Sequence, residues 1–443
     1  MTEPAARERA RDLMAFIDAS PTPYHAVEEA VRRLSRAGFQ PLKEEDAWQL
    51  TPGMRGYVVR GGSSIAAVIV GQAPAHEAGF LLVGAHTDSP NLRVRPLPDV
   101  RAHGYRQLAV EPYGGLLQST WMDRDLSIAG RVVVAEDARG GDGGRTHLID
   151  WRRALLRIPN VAIHLNRSVN SDGLKLNPQT QMVPVMGLVG PGEDLDFPEL
   201  VAAKLREQGI KANAEAIVGY DLCLYDVQPA ALAGLHDELL LAGRLDNLAS
   251  CHAAIEALCA ARDPRPHTRG VVLYDHEEVG SKSAQGAGGP FLEDLLARLA
   301  DAGASHGHGH DALSRAVARS LLISADMAHG VHPNYADKHE PAHRPVLGQG
   351  PVIKTNVAQS YATDAETSAR FALLCRRVSV TPQHFVSRSD QTCGSTIGPI
   401  TAGRIGLRTV DVGSPLLSMH SVREMAAVAD VDAMVRVLSA FFA

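Results

Sequence analysis

Two adjacent carboxylates, Glu277 and Glu278, stand where this sequence suggests chemistry most directly. They follow an apolar, β-branched run, Val271–Tyr274, and precede Gly280 and Ser281. The run predicts a buried strand and the glycine predicts a loop, so the two acids stand where a strand ends. Neighbouring side chains on a turning backbone point in different directions, so one acid could bind a metal ion while the other faces a substrate. An exposed acidic pair is the simpler alternative unless further ligands lie nearby.

Other possible metal ligands also follow apolar runs that predict strands. The runs and their following residues are Phe80–Ala85 with His86 and Asp88, Leu239–Ala242 with Asp246, Leu321–Ser324 with Asp326, and Arg408–Val412 with a loop containing His420. Taken singly, Asp246 could cap a helix and His86 could be a core histidine. Together with Glu278, these residues can supply two imidazoles and three carboxylates at one sheet edge. Such a set suits a pair of zinc or similar divalent ions.

The elements that must position these side chains alternate between strand and helix. Helical periodicity predicts helices at Arg7–Ile17, His25–Ala37, Asp246–Ala261, Pro290–Ala302, Ala362–Arg377 and Val422–Phe442. Further strands are predicted at Gly56–Arg60, Ser64–Gly71, Gly270–Asp275 and His384–Ser387. This alternation predicts an α/β fold in which a mostly parallel sheet is sandwiched by helices. Such sheets bind ligands beyond the carboxyl ends of their strands, where the candidate residues stand.

The middle of the chain has a different character. Short β-like pieces, including Val161–Leu165 and Met182–Val189, alternate with glycine and proline clusters around one predicted helix, Glu199–Gln208. The α/β alternation resumes afterwards instead of starting afresh. We therefore expect a discontinuous catalytic domain of residues 1–92 and 236–443, with a β-rich domain of residues 93–235 inserted into it.

Composition excludes several classes of protein. A chain of 443 residues is too long for one ordinary compact core, and its net charge of -6 without a lysine and arginine block argues against nucleic acid as a partner. No stretch resembles a membrane span or a signal peptide, so no membrane partner is expected. The five scattered cysteines lack a CxxC pair and predict reduced thiols in the cytoplasm. A histidine-rich stretch at residues 305–310 is glycine-rich and predicts a polar loop rather than a metal site.

Several longer motifs resemble one enzyme family, the M18 metallopeptidases or aspartyl aminopeptidases. The motifs are His86–Pro90, Arg244–Asn247, Leu273–Ser281, Ser324–Tyr335 and Ser418–Ser421, with further matches at Ser20–His25, Ile163–Leu165, Gly350–Lys354 and Gly394–Ile400. They occur in order along essentially the whole chain. The resemblance implies the α/β metallopeptidase fold and gives the inserted domain the role of a dimerisation domain.

The resemblance also implies a two-metal centre in each subunit. Asp246 would bridge the two ions, His86 and Asp326 would complete one site, and Glu278 and His420 would complete the other. Zinc is the expected metal, although manganese or cobalt would accept the same ligands.

Roles in catalysis and substrate binding are implied in the same way. Glu277 would be the general base for the attacking water, and Asp88 would orient the imidazole of His86. Lys354 would bind an acidic substrate side chain, and His329 and Tyr361 match other positions that contact substrate.

The expected function is hydrolysis of the N-terminal residue, preferably Asp or Glu, from peptides. His164 of a neighbouring subunit would contribute to the active site, and dimers would build a dodecamer. One alternative is a metal hydrolase of the same architecture that prefers neutral N-termini or acylated amino acids. A second is an inactive oligomeric scaffold.

Overall fold

The computed structural model describes residues 3–135, 144–190, 196–302 and 309–443. Backbone contacts divide the chain into two compact units. The first unit comprises Met1–Ser89, Ala230–Met419 and Glu424–Ala443, and the second comprises Pro90–Pro229 with His420–Arg423. Most of the histidine-rich stretch at 305–310 lies outside the described residues. Within those residues, no helix is long and apolar enough to cross a membrane.

The seven predicted helices are present with shifted ends, and the described residues contain five further α-helices that were not predicted. In the described ranges they are α1 (Pro4–Asp18), α2 (Pro23–Arg36), α3 (Ala75–Ala78), α4 (Val169–Asp172), α5 (Pro178–Gln181), α6 (Phe197–Glu207), α7 (Leu245–Ala260), α8 (Phe291–Asp301), α9 (Gly309–Ala318), α10 (Ala365–Arg377), α11 (Ile397–Ile405) and α12 (Val428–Phe442). Two helices begin at least three residues later than predicted, for local reasons. α10 begins three residues late because Asp364 and Thr367 form a capping box, and α12 begins at Val428 because the residues before it form a strand.

The strands are short and numerous. They are β1 (Gln40–Pro41), β2 (Arg55–Arg60), β3 (Ser64–Ile69), β4 (Phe80–His86), β5 (Asn91–Ala102), β6 (Tyr105–Tyr113), β7 (Leu126–Ala135), β8 (Gly144–Asp150), β9 (Val185–Leu188), β10 (Ile217–Asp226), β11 (Ala231–Ala233), β12 (Leu239–Ala242), β13 (Thr268–Tyr274), β14 (Leu321–Ala325), β15 (Ala328–His329), β16 (Val352–Thr355), β17 (Gln383–Val386), β18 (Arg408–Gly413), β19 (Pro415–Leu417) and β20 (Glu424–Ala427).

A nine-stranded sheet forms the centre of the first unit, in the order β1-β2-β3-β13-β4-β14-β18-β16-β17. Its middle strands β13, β4, β14 and β18 run parallel to one another. Antiparallel pairing occurs between β2 and β3, between β3 and β13, and between β16 and β18. The predicted α/β fold with a mostly parallel sheet is therefore confirmed.

Helices cover both faces of this sheet. Val271 and Leu273 face a cluster that includes α1, α2, α7, α10 and α12, whereas the intervening Val272 and Tyr274 face a cluster that includes α8, α9 and α11. All seven residues of β13 are buried. A strand that is covered on both faces usually has consecutive apolar residues, which is why this strand could be predicted from the sequence.

The strand before Asp246 belongs to a different sheet. β12 pairs antiparallel with β11 and β20 in a five-stranded sheet of order β11-β12-β20-β19-β15. The expectation that Leu239–Ala242 ends at the edge of the main sheet is therefore wrong. Only alternate residues of β12 are buried, as in a sheet with one covered face. Because all four residues of β12 are apolar, the sequence does not distinguish a strand with one covered face from a strand of the main sheet.

The second unit is built on a six-stranded antiparallel sheet of order β8-β7-β10-β5-β6-β9. α6 packs on it through Phe197, Val201 and Leu205, which are fully buried. The strand expected at Val161–Leu165 is wrong. Residues 163–165 form a turn, and the Leu165 N–H donates to the carbonyl of Ala162 at 2.8 Å.

A polar network joins three helices on one face of the main sheet. The buried His252 ring on α7 lies 2.7 Å from the Asp12 carboxylate on α1, between Nε2 and Oδ2. Arg33 on α2 donates to both oxygens of the same carboxylate, at 2.5 and 3.1 Å. The hydrogen bond with His252 lowers the pKa of Asp12 below its usual value, although burial opposes this effect.

We expect Asp12→Asn to lower the free energy of unfolding by about 1 kcal/mol at pH 7, a usual size for a partly exposed ion pair. Because the pKa of Asp12 is depressed in the folded state, its contribution is present above the unfolded value of about 3.9 and is lost as the pH falls towards the folded value. Urea unfolding should show a smaller difference between variant and parent at pH 3 than at pH 5. A difference that grows at pH 3 would contradict this.

Candidate metal centre

Three neighbouring parallel strands end at one edge of the main sheet, and candidate ligands follow each of them. β4 ends at His86, β14 ends one residue before Asp326, and β13 leads into a 3-10 turn at Glu277–Val279. β4 lies between the other two strands. Because parallel strands in one sheet have their carboxyl ends side by side, the side chains that follow them meet.

His86 lies at the centre of the cluster. Its Nε2 atom is 3.4 Å from Oδ1 of Asp246 and 3.4 Å from Oδ1 of Asp326, and all three side chains are buried. Potential ligand atoms of these three residues lie within 4.8 Å of one another, as do those of His86, Glu277 and Glu278. The structure therefore brings together five of the residues singled out in the sequence.

Asp246 reaches the cluster from the five-stranded sheet, at the point where β12 passes into α7. Its backbone is held on both sides, because its N–H donates to the Glu424 carboxylate at 3.1 Å and its carbonyl accepts from the Ser89 hydroxyl at 2.5 Å. Glu424 lies on β20 and is 2% exposed. Sequence reasoning missed Glu424, although an acid beside the apolar run Met425–Ala427 was a usable signal of a buried polar contact.

Asp88 organises the acidic turn as well as the imidazole. Its carboxylate is fully buried and accepts hydrogen bonds from the backbone N–H groups of Glu277 and Glu278, both at 3.1 Å. Nδ1 of His86 lies 3.0 Å from the backbone carbonyl of Asp88 and 3.5 Å from its carboxylate. The predicted contact with His86 is present, whereas the bonds to the acidic turn were not foreseen. Asp88 thus fixes two of the segments that meet here.

Like charges are concentrated in this small volume, and the pKa values reflect it. Burial alone would lower the pKa of His86, but hydrogen bonds with the three surrounding aspartates raise it well above its usual value. Burial raises the pKa of Glu277 and that of Glu278, and neighbouring carboxylates add to both effects while His86 opposes them. Protons are held tightly here because buried negative charges repel one another.

A divalent cation fits this donor set. Carboxylate oxygens and imidazole nitrogens are ligands that zinc accepts, and manganese and cobalt accept them too. A cation would also relieve the repulsion among the acids. His86 and Lys354 partly offset the charge of the carboxylates of Asp88, Asp246, Glu277, Glu278 and Asp326.

Lys354 lies against one of these acids. It is 2% exposed, and its Nζ atom donates to Oδ2 of Asp326 and to the carbonyl of Met327, both at 3.1 Å. Its ammonium lies 5.3 Å from the centre of the Tyr361 ring. The lysine predicted to bind substrate therefore also holds a candidate metal ligand, on the oxygen that does not face His86.

A cavity of about 300 Å³ opens beside these residues in the first unit. His329 and Tyr361, both predicted to contact substrate, line it. The Phe385 ring lies between them, with ring centres 5.7 Å from His329 and 6.4 Å from Tyr361. Lys338 and Arg388 add positive charge to the lining. Glu340 adds a carboxylate to the same lining, so the cavity is an aromatic pocket with charged groups of both signs around it.

Two predicted residues lie in the second unit. His420 belongs to the short segment His420–Arg423, and its Nδ1 atom lies 3.0 Å from the carbonyl of Gly115. His164 is exposed in the turn at residues 163–165. The ligand role of His420 and the substrate role of His164 stay predictions.

Comparisons with known proteins agree with this chemistry. A profile of the family described as aminopeptidase I zinc metalloprotease, M18, matches residues 16–442. A probable M18 family aminopeptidase 2 from Pseudomonas aeruginosa is 50% identical over 432 residues, which are 97% of each chain.

Solved structures share the fold. A cryo-EM structure of a complex of Ape4 and Nbr1 contains a chain that is 38% identical, with a TM-score of 0.93 over 99% of this chain and 86% of that chain. The mApe1 dodecamer of S. cerevisiae is 29% identical, with a TM-score of 0.82 over 98% of this chain and 96% of that chain.

We expect zinc to raise the melting temperature of chelator-treated protein, because an ion that binds only the folded state stabilises it by about 2.7 kcal/mol at a hundred times its dissociation constant. The variant His86→Ala should lose most of this shift. Asp12→Asn serves as a matched control, because Asp12, His252 and Glu256 also form a compact group of potential ligands. Differential scanning fluorimetry with metal analysis measures both effects. Loss of the zinc shift in Asp12→Asn alone would place the ion elsewhere.

Proposed function

We propose a specific activity for this chain, which belongs to the M18 family of aminopeptidase I zinc metalloproteases. As a member of this family, the chain is a zinc-dependent aminopeptidase. The proposal is that two zinc ions act in each subunit and that the preferred substrates are peptides with an N-terminal Asp or Glu. The main support is the convergence of His86, Asp246, Asp326, Glu277 and Glu278 at one sheet edge.

The ligands divide between two ions in this proposal. Asp246 would contribute to both sites, His86 and Asp326 would hold one ion with it, and Glu278 and His420 would hold the other. Bound there, zinc would supply Lewis acidity that polarises the scissile carbonyl and lowers the pKa of water.

Glu277 is the proposed general base. It accepts a proton from the water that attacks the peptide carbonyl, and it returns a proton to the leaving amine as the peptide bond breaks. Asp88 supports this role by holding the backbone N–H groups of Glu277 and Glu278. The base is thereby fixed in orientation before substrate binds, which lowers the entropic part of the barrier.

The preference for an acidic residue is supported by the charges around the cavity. Lys354 has three N–H groups and uses two of them on Asp326 and Met327, so one remains for a substrate carboxylate. The cavity itself is lined by Lys338, Arg388 and Glu340, and Arg388 is paired with Asp390. A carboxylate side chain is therefore better stabilised there than an apolar one.

Two alternatives differ from this proposal. The first has another substrate preference, and the second has no catalytic activity. A hydrolase of the same architecture could prefer neutral N-termini or acylated amino acids, which a panel of Asp-, Glu-, Leu- and acyl-amino-acid substrates would reveal. An inactive oligomeric scaffold would hydrolyse none of them even when loaded with zinc. The intact acidic turn at Glu277 and Glu278 favours the enzyme.

Self-association is part of the proposal. The exposed turn at residues 163–165 and the residues just before it carry three apolar side chains, Val161, Ile163 and Leu165, with exposed fractions of 60%, 47% and 83%. Apolar groups grouped in this way favour a covered surface, so we propose that the second unit mediates dimerisation and that His164 reaches a neighbouring active site. Assembly into a dodecamer, as in the mApe1 structure, is the proposed final state.

A cytoplasmic location is proposed from the thiols. All five cysteines lie in the described ranges and none forms a disulfide, as expected in a reducing compartment.

Replacing the base tests the catalytic assignment. We expect Glu277→Gln to lower turnover of an N-terminal Asp substrate by about two to four orders of magnitude, because a positioned general base contributes that much. Zinc content should stay at the parental level, since the other acid of the pair and the remaining ligands are unchanged. Steady-state kinetics and metal analysis on one preparation measure both. Equal turnover in the variant and the parent protein would contradict the assignment of Glu277 as the general base.

Replacing the lysine tests the acidic preference. We expect Lys354→Met to lower kcat/KM for an Asp substrate at least about tenfold more than for a Leu substrate, because the charge-assisted hydrogen bond is lost only for the former. The measurement is kcat/KM for both substrates, with zinc content as a control. An equal loss for both substrates, together with lower zinc content, would mean that Lys354 only holds Asp326.

A further inference from the structure

Asp411 is a buried carboxylate outside the candidate metal centre. It lies on β18, between β14 and β16, and it is fully buried. Within the described residues, no lysine or arginine donates a hydrogen bond to it. Burial raises its pKa, and the positive charge of Lys354 partly offsets this effect. A charge in such a place is costly unless its oxygens are satisfied, so its partners are informative.

Three donors from three different segments meet on this carboxylate. The Ser324 hydroxyl donates to Oδ1 at 2.6 Å, and the Thr396 hydroxyl donates to the same atom at 2.7 Å. The backbone N–H of Ala362 donates to Oδ2 at 2.6 Å. Thr363 adds a return contact, because its hydroxyl accepts from the Asp411 backbone N–H at 2.9 Å.

Each of these segments contains a residue of the candidate site or lies next to one. Ala362 follows Tyr361, which lines the cavity. Thr396 ends the segment whose residues Thr392 and Gly394 also line it, and Ser324 precedes Asp326 by two residues on the same strand end. One carboxylate therefore links the aromatic wall, a second wall and a candidate metal ligand.

The start of α11 is shaped around the same carboxylate. Thr396 caps the helix through its hydroxyl, which accepts from the Gly398 N–H at 3.3 Å. A Cβ atom added at Gly398 would lie 2.3 Å from an Asp411 oxygen. A glycine is thus needed for the first turn of α11 to approach, and the positive end of the helix dipole favours the negative charge.

We propose that Asp411 is a positioning residue for the substrate pocket: its carboxylate fixes Tyr361 and the segment 392–394 against the candidate metal centre. It touches no reacting atom in this scheme. The inference rests on the proposed function, because it assigns the cavity to the side chain of the N-terminal residue. Its expected signature is weaker substrate binding with nearly unchanged chemistry.

A second buried carboxylate provides a matched control. Asp430 is 1% exposed and accepts backbone N–H groups from Gly348 at 2.6 Å and from Gly350 at 2.8 Å. Its burial and its bonds to a loop resemble those of Asp411. Residues 348–350 do not line the cavity. A purely architectural role for Asp411 would make the two carboxylates equivalent in function.

The test compares Asp411→Asn with Asp430→Asn. An asparagine at position 411 keeps the volume but presents an NH2 group to at least one of the three donors. We expect KM for an N-terminal Asp substrate to rise about tenfold in Asp411→Asn, roughly one lost hydrogen bond to a charged group, with kcat within about threefold of the parent. Asp430→Asn should lower the melting temperature without this change in KM.

A second readout does not depend on catalysis. Cys393 lies in the segment that Thr396 anchors and packs against Tyr361 and Phe385. Release of the segment should speed the alkylation of Cys393 by iodoacetamide, measured by mass spectrometry on zinc-loaded protein, whereas Cys259 on α7 should react at the parental rate. Thr396→Val removes one donor only and should show the same effect if Asp411→Asn fails to fold.

The outcomes separate the two proposals. Parent protein without peptidase activity would overturn the proposed function, and the ratio of Cys393 to Cys259 alkylation would still test whether Asp411 anchors the segment. Equal changes in KM and in Cys393 alkylation in the variants at 411 and 430 would overturn the positioning role. So would unchanged KM and unchanged alkylation in both Asp411→Asn and Thr396→Val.

Discussion

Repulsion among buried carboxylates is the constraint on which the candidate site depends. Acids held this closely at a sheet edge repel one another and would separate unless the surrounding chain held them. Asp88 holds the acidic turn through two backbone N–H groups, Lys354 donates to Asp326, and Glu424 accepts from the backbone of Asp246. A rigid acidic cluster of this kind favours divalent cations over single protons, because one doubly charged ion neutralises several oxygens together.

The sequence predicted those parts of the site that local pattern encodes. An apolar run followed by acids marks a strand end, so His86, Glu277, Glu278 and Asp326 could be assigned to one edge before any coordinates were known. The α/β fold and its covered sheet followed from the same runs. Longer motifs then supplied the roles of individual residues through family resemblance.

The remaining features depend on long-range pairing, which local pattern does not encode. The four apolar residues Leu239–Ala242 are compatible with a strand of the main sheet and with a strand of the five-stranded sheet. The sequence therefore did not predict that Asp246 joins the cluster from the five-stranded sheet. Val161, Ile163 and Leu165 are apolar yet exposed, because hydrophobicity alone does not distinguish a buried strand from an exposed apolar segment. Asp411 and Glu424 were overlooked because a single buried acid has no spacing that distinguishes it from a surface acid.

The position of β4 within the main sheet bears on how the protein is made. β4 ends at His86 and pairs only with β13 and β14 among the described residues, and both follow the Pro90–Pro229 segment of the second unit in sequence. During translation this strand therefore emerges before either neighbour, and both of its hydrogen-bonding edges stay unpaired until the ribosome has passed Pro90–Pro229 and reached β13 and β14. Unpaired apolar edges invite aggregation. The nascent chain should consequently depend on chaperones for longer than its size alone would require.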